Sequence, residues 1–496
     1  MHSLCGDLLL QRLGSLQADA SVPRNRRLYH CIRDAILDTS LAPHTRLPPS
    51  RDLALELGVS RNTVLFAYDQ LLAEGYVRAR PGSGTFVAAT APPSAANRRD
   101  APPPPAQELA PLSARGSALL AQASASPAQW GAFMPGVPDV TRFPHKRYAQ
   151  ITARLWRQPA PDLLSYGAGG GLLALRQALA EHLRMARAVQ CDASQIVVTE
   201  GIHQAIDLVV RLLGTPGDTA WVEDPCYWGI RSLLHINGIR MLARPVDGEG
   251  ITLPHRAAGE RQLAPRFIFV TPSHQYPLGS VMSLTRRRAL LEHARRHGSW
   301  IVEDDYDSEF RFAGQPIASL QGLEPEAPVI YIGTFSKTLY PGLRIGYMVL
   351  PTALAPAFRA AHAELYRDGH LMTQAALAEF MRAGDYAAHV RRMRLVYARR
   401  RALLRDLIVQ RLGPGACNPH DSKAGLHLVL QLPPGTDDVA LAHQAAQHGI
   451  LVRPLSRYYQ RAPGGRGLLL GYACVPDEDI TPAFERLLAC TGLAAA

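Results

Sequence analysis

The stretch Val329-Ile330-Tyr331-Ile332-Gly333-Thr334-Phe335-Ser336-Lys337-Thr338-Leu339, followed by Pro341-Gly342-Leu343-Arg344-Ile345-Gly346, decides how the larger part of this chain reads. Four consecutive β-branched or aromatic residues predict a buried strand. Gly333 ends it, and a polar loop carrying a lysine follows. Lysine occurs at only three positions, Lys146, Lys337 and Lys423; arginine supplies every other basic side chain. Any chemistry that needs a primary amine therefore has three candidate positions.

Working outward, similar apolar runs recur: Gln195 to Thr199, Thr219 to Val222, Arg266 to Val270, Ser299 to Val302 and Ile345 to Val349. Helical segments such as Leu284 to His297 separate most of them. Strands alternating with helices predict an α/β layer structure around a mostly parallel sheet. Ligands of such sheets bind beyond the carboxyl ends of the strands. Three of those ends are polar here. Val302 is followed by Glu303-Asp304-Asp305-Tyr306-Asp307-Ser308-Glu309, Ile332 by the lysine loop, and Val198 by Thr199-Glu200-Gly201-Ile202-His203, which opens a helix.

A lysine at such a place can form a Schiff base with an aldehyde. A carboxylate can keep a pyridine nitrogen protonated. A helix N-terminus, hydroxyls and an arginine can hold a phosphate. Any one of these is ordinarily only a loop. Together, in this order on an α/β chain, they describe a pyridoxal 5'-phosphate site.

This part of the chain resembles the fold-type I aminotransferases over nearly its whole length. The resemblance implies that Lys337 carries the Schiff base, that Asp304 pairs with the pyridine nitrogen, with Asp305 as a substitute, and that Tyr306 bonds the cofactor 3'-oxygen. It implies Arg344, Thr334 and Ser336 as phosphate ligands, completed by the backbone amides of Gly201, Ile202 and His203. Tyr227 would stack on the ring, and Tyr166 would reach the partner subunit's phosphate. The usual Asn-Pro-x-Gly loop is here Ser273-His274-Gln275-Tyr276-Pro277-Leu278-Gly279, so His274 or Gln275 would take the role of the asparagine. The arginine that grips a substrate carboxylate in these enzymes falls on Leu469, which cannot do so; Arg453 or Arg457 could substitute.

The chain has 496 residues, 47% hydrophobic and 19% charged, with a formal net charge of +11. At about 150 residues per domain this suggests three domains, or one small and one large. The balance is globular and excludes wholesale disorder, collagen and coiled coil. No apolar run is long enough to span a membrane, and Leu8 to Leu10 is too short for a signal peptide, so a soluble cytoplasmic protein is expected. Seven scattered cysteines without a Cys-x-x-Cys argue against a disulfide framework, and no metal site is expected. Residues 89–128, rich in Ala, Pro and Ser, should be a flexible extended linker. It separates an N-terminal domain over 22–88 from a C-terminal domain over 129–496.

In the N-terminal domain, Leu28, Ile32 and Ile36 mark one face of a helix. Ser50 reads as the N-cap of a second helix, Gly58 turns the chain, and Ser60 caps a third, whose inward face is Val64, Ala67, Tyr68 and Leu71. Tyr76 to Arg80, a Pro81-Gly82-Ser83-Gly84 turn and Thr85 to Val87 form a hairpin, giving an α+β winged helix-turn-helix. The pattern Arg46-Leu47-Pro48-Pro49-Ser50-Arg51, Leu57 to Val64, Glu74-Gly75 and Gly82 to Thr85 resembles the GntR class of repressors. His44 stands where that family usually has Gly, which should change only the turn. The helix from Ser60 would enter the major groove of double-stranded promoter DNA, with Arg61, Asn62 and Thr63 at its tip. Arg46 and Arg51 would meet phosphates, and the Gly82-Ser83-Gly84 wing would approach the backbone closely. Residues 1–90 hold ten Arg against eight Asp plus Glu, so bulk charge adds little and affinity should depend on dimerisation.

The fusion resembles the MocR/PdxR subfamily of GntR regulators, through Thr271 to Gln275, Glu303 to Phe310, Gly333 to Thr338 and Leu371 to Leu377. This implies a head-to-tail homodimer that senses pyridoxal 5'-phosphate or its adduct with an amine or amino acid. Physiological turnover is not expected, although a residual transamination half-reaction is compatible. The alternative is an active aminotransferase carrying a DNA-binding appendage.

Overall fold

The computed structural model describes residues 4–15, 22–89, 112–121, 129–254, 264–313, 318–461 and 464–493. They form two compact units divided after Pro111.

The first unit is helical with a two-stranded wing: α1 (Leu4–Ser15), α2 (Arg24–Leu37), α3 (Ser50–Glu56), α4 (Arg61–Ala73), β1 (Val77–Arg80) and β2 (Gly84–Val87). Leu28, Ile32 and Ile36 of α2 are buried against Leu53 of α3 and Val64, Ala67, Tyr68 and Leu71 of α4. The stretch around Leu8 to Leu10 lies in α1, and Leu9 joins the same core. Ser60 caps α4 through its hydroxyl, which accepts from the Thr63 amide at 3.2 Å. Ser50 departs from expectation. It is the first residue of α3, Pro49 occupies the cap position, and the Ser50 hydroxyl accepts from Arg61 Nε at 3.5 Å instead. His44 has a left-handed backbone, φ 68°, a conformation that glycine adopts freely, and its amide donates to the Val87 carbonyl.

Within the stretch expected to be a linker, 90–111 and 122–128 lie outside the described residues. Between them Ala114–Ala121 is a helix, not extended chain; its alanines and leucines are strong helix formers, and Ser113 accepts from the Gly116 amide at 3.1 Å.

The second unit is built on an eight-stranded sheet. Its strands are β3 (Ile196–Thr199), β4 (Thr219–Asp224), β5 (Arg240–Asp247), β6 (Gly250–Ile251), β7 (Phe267–Val270), β8 (Trp300–Asp305), β9 (Val329–Thr334) and β10 (Gly346–Val349), in the order β3-β10-β9-β8-β7-β4-β5-β6. Its centre is parallel; β10 runs antiparallel to both neighbours, and β6 to β5. The central strands are buried along their whole length, which is why they read as unbroken apolar runs. A smaller antiparallel sheet, β11 (His427–Gln431), β12 (Arg453–Pro454) and β13 (Gly467–Gly471), packs with the 28-residue helix Asp385–Leu412 and helix Asp477–Thr491.

Candidate cofactor site and DNA-contacting face

Lys337 follows β9 and is half-buried; its Nζ donates to the Gly136 carbonyl at 2.8 Å. Desolvation lowers its pKa, opposed by the carboxylates of Asp307 and Asp304. Lys146 and Lys423 are exposed, which leaves one inward-facing amine among the three.

The doubled aspartate at the end of β8 divides its labour, because successive strand residues face opposite sides. Asp305 Oδ2 accepts from Arg187 Nε at 2.7 Å, the Tyr331 hydroxyl at 2.5 Å and Ser308 at 2.9 Å. Its other oxygen is buried without a hydrogen bond among the described residues, but three donors already commit this carboxylate to the interior. Asp304 Oδ1 is likewise buried without a hydrogen-bond partner among the described residues, and no arginine holds it. Burial, then the charge of Asp305, pushes Asp304 well above the ordinary carboxylate range, while Lys337 opposes the shift. A buried carboxylate with an open oxygen is what a pyridinium nitrogen requires.

Beyond Asp304, the Tyr306 hydroxyl lies 2.9 Å from His274 Nδ1, which also faces both Asp307 oxygens at 3.1 Å. Gln275 is used differently. Its amide donates to Glu223 and to the carbonyls of Pro225 and Tyr276, tying two loops together. Of the two replacements considered for the asparagine, only His274 meets Tyr306.

A polar cup forms where β3, β9 and β10 lie side by side, with Gly346 in register with both Thr199 and Thr334. Gly201 begins helix Ile202–Leu213 at φ 88°, with no side-chain cap on its amides. Arg344, itself left-handed at φ 53°, donates from Nη2 to the Glu200 carbonyl at 2.9 Å; a Cβ on Gly201 would lie 3.2 Å from that Nη2. Thr334 donates to the Ser336 hydroxyl at 3.0 Å and accepts from the Ser336 amide at 3.1 Å. His203 Nε2 lies 3.0 Å from the Tyr227 hydroxyl. Burial, then the nearby Arg344, lowers the His203 pKa, keeping it neutral beside the cup. The bare amides, hydroxyls and guanidinium suit a dianion.

Tyr166 is 80% exposed, with the Arg367 guanidinium 5.8 Å over its ring, and does not join this cluster. Leu469 is fully buried among Val429, Leu455 and Tyr458. Arg453 stands directly across the strand pair from it and approaches Met134 Sδ at 3.4 Å, whereas Arg457 is exposed.

Two contributors escaped the sequence reading. The Gly136 carbonyl comes from 201 residues before its lysine; the positive φ of this glycine had no visible signal beyond Pro135-Gly136. Arg187 ends a helix and gave no sign that it would hold Asp305.

On the first unit, Arg46, Arg51, Ser60, Arg61, Asn62, Gly82, Ser83 and Gly84 are exposed and Thr63 is half-buried. Thr63 shares a 2.9 Å hydroxyl contact with Ser60. The Arg46 guanidinium lies along the wing, 3.0 Å from where a Gly84 Cβ would be. Gly82 turns the wing at φ 74°.

Residues 140–487 match the family "Aminotransferase class I and II", and 24–87 match "Bacterial regulatory proteins, gntR family". The chain is 41% identical to the probable rhizopine catabolism regulatory protein MocR of Rhizobium meliloti, over 95% of this chain and 94% of that protein. It is 30% identical to the pyridoxine biosynthesis transcriptional regulator PdxR of Corynebacterium glutamicum, over 90% and 91%.

This chain belongs to the MocR/PdxR-type GntR regulators.

Among solved structures, this MocR/PdxR-type chain is similar to LysN, the α-aminoadipate aminotransferase of Thermus thermophilus. TM-score is 0.66 and identity 27%, over 76% of this chain and 96% of that one. That structure holds N-(5'-phosphopyridoxyl)-L-leucine. The cofactor of the aminotransferase-type unit is pyridoxal 5'-phosphate, and the open Asp304 oxygen, inward-facing Lys337 and bare helix start fit it. The GntR-type helix-turn-helix unit over residues 24–87 binds DNA. Among the described residues no helix is long and apolar enough to cross a membrane.

Proposed function

We propose that this chain is a transcription regulator, located in the cytoplasm, that binds promoter DNA as a head-to-tail homodimer. Its response depends on pyridoxal 5'-phosphate, alone or joined to an amine or amino acid. The cofactor, when bound, supplies an aldehyde that captures amines and an electron-withdrawing ring. Lys337 would hold the aldehyde carbon and Asp304 the pyridine nitrogen. Tyr306 would hold the 3'-oxygen and Tyr227 would stack on the ring. Arg344, Thr334, Ser336 and the amides of Gly201, Ile202 and His203 would take the phosphate. The exposed Tyr166 would complete the site of a second protomer. Arg46, Arg51, Ser60, Arg61, Asn62, Thr63 and the Gly82-Ser83-Gly84 wing would contact DNA.

One observation carries the preference for sensing over turnover. An inward-facing lysine and a buried, open carboxylate share one chain with a DNA-binding unit, yet the position expected for the carboxylate-gripping arginine is Leu469, sealed in apolar packing. A hydrocarbon side chain cannot pair with a carboxylate, so an ordinary α-amino acid loses a bidentate ion pair there. The inward-facing lysine and open aspartate equally favour a second reading, an aminotransferase with a DNA-binding appendage.

The test is promoter affinity and in vitro transcription with apo protein, with added pyridoxal 5'-phosphate, and with Lys337→Ala. A cofactor-dependent change without amine consumption supports sensing, since a ligand shifts an equilibrium only by its differential affinity for the two states. Equal behaviour in all three states, with multiple-turnover transamination of a common amino acid, supports the enzyme instead.

A further inference from the structure

Tyr306 is joined to His274 and Asp307 in a chain of polar groups, and the cofactor contacts proposed above leave the last two without a role. All three are buried. The chain converges on one atom: His274 Nδ1 lies 2.9 Å from the Tyr306 hydroxyl and 3.1 Å from each Asp307 oxygen. The imidazole is held in place by backbone. A Cβ at Gly425, where φ is 81°, would sit 2.0 Å from His274 Cε1, and one at Gly279 would sit 3.2 Å from Nε2. The ring thus packs against Gly425, where any side chain would collide with it, and closely beside Gly279.

We infer that His274, oriented by Asp307, is a positioning residue that turns the Tyr306 proton toward the cofactor 3'-oxygen and thereby lowers the proton affinity of the cofactor's link to Lys337. A carboxylate on Nδ1 fixes the proton on that nitrogen. The N–H then donates to Asp307 and to the Tyr306 oxygen together. Tyr306, accepting from His274, has its own O–H left to donate. Donation to a 3'-oxygen stabilises its anionic form, which favours loss of the proton from the adjoining nitrogen. The other groups around the ring do not supply this N–H. His427 lies 5.7 Å away with its Nε2 at the Pro277 carbonyl. Asp304 and Glu223 act on Tyr306, and Asp304 on Lys337, by charge at a distance, and Arg405 and Asp421 line the small cavity beside His274.

The experiment uses the full-length, cofactor-loaded protein and reads the pH at which its visible absorption band gives way to the near-ultraviolet band. His274→Leu, which removes the N–H, should raise that midpoint by about half to one pH unit, the size of one neutral hydrogen bond. His274→Gln retains an amide donor and should return the midpoint toward wild type. In a Tyr306→Phe background, His274→Leu should add nothing, because its action passes through Tyr306. If His274→Leu does not take up cofactor, His274→Phe replaces it, keeping the ring volume. An unchanged midpoint in the loaded variant, or an equal shift in the Tyr306→Phe background, overturns the inference. Absence of any visible band in wild type would instead overturn the assignment of Lys337.

Discussion

The Arg187 guanidinium meets the Asp305 carboxylate at 2.7 Å, with both side chains buried. That pair explains why two adjacent aspartates have unlike fates. Asp305→Asn should destabilise the protein by about 3–5 kcal/mol, because it removes the carboxylate paired with a buried guanidinium. Asp304→Asn removes no protein partner and should leave the unfolding midpoint within a few degrees of wild type, while weakening cofactor uptake. Denaturation curves of the two variants beside cofactor titrations check both halves.

Lys337→Ala should abolish the visible band while circular dichroism stays native. Its amine donates to the Gly136 carbonyl, and the neighbouring Asp304, already pushed up by burial, can take a proton in its absence. A band that survives would move the reactive amine to Lys146 or Lys423, both exposed.

Glu223 is fully buried, and burial raises its pKa from the usual 4.5 to about 7, although Thr271 and Gln275 hydrogen bonds pull the other way. A carboxyl with a raised folded pKa contributes stability below its unfolded pKa and loses it as pH rises to the folded one. Stability should therefore fall between about pH 4.5 and pH 7, by up to about 1.4 kcal/mol per pH unit for this group. Glu223→Gln, with the Thr271 hydroxyl free to turn, should flatten that slope in urea unfolding. A slope identical to wild type would show that Glu223 does not titrate there.

Strand positions were legible in the sequence because buried central strands leave contiguous apolar runs, and the polar ends of β3, β8 and β9 followed from them. The Asp304–Asp305 choice was not legible. Composition is blind to which of two neighbours meets an arginine 118 positions earlier. Nor was the Gly136 carbonyl, since a backbone acceptor carries no residue signature. The helix Ala114–Ala121 was hidden by flanking prolines that made the whole stretch look extended.

His44→Gly should stabilise the DNA-binding unit by about 1 kcal/mol, relieving a left-handed backbone at a side-chain-bearing residue. Hydrogen exchange at the Leu47 amide, which bonds the Thr85 carbonyl, would slow accordingly. Faster exchange would mean that the His44 side chain contributes more than its backbone strain.

Arg61→Ala should weaken binding to the specific promoter by about 1–3 kcal/mol and leave random DNA nearly unaffected, as expected for a bidentate base contact at the tip of α4. Equal weakening of both would reduce Arg61 to a phosphate contact. Fluorescence anisotropy with the two duplexes at one salt concentration separates the cases.

The packing around Leu469 also limits where this lineage can go. An arginine placed there would have to lodge its charge among Val429, Leu455 and Tyr458, an insertion that costs several kcal/mol without a partner. A single substitution would therefore be purged for instability before any gain in amino-acid handling could be selected. Those neighbours would have to change first, and each such change alone brings no benefit. The leucine thus acts as a lock whose release takes several substitutions made together, at 469 and at the residues packed on it.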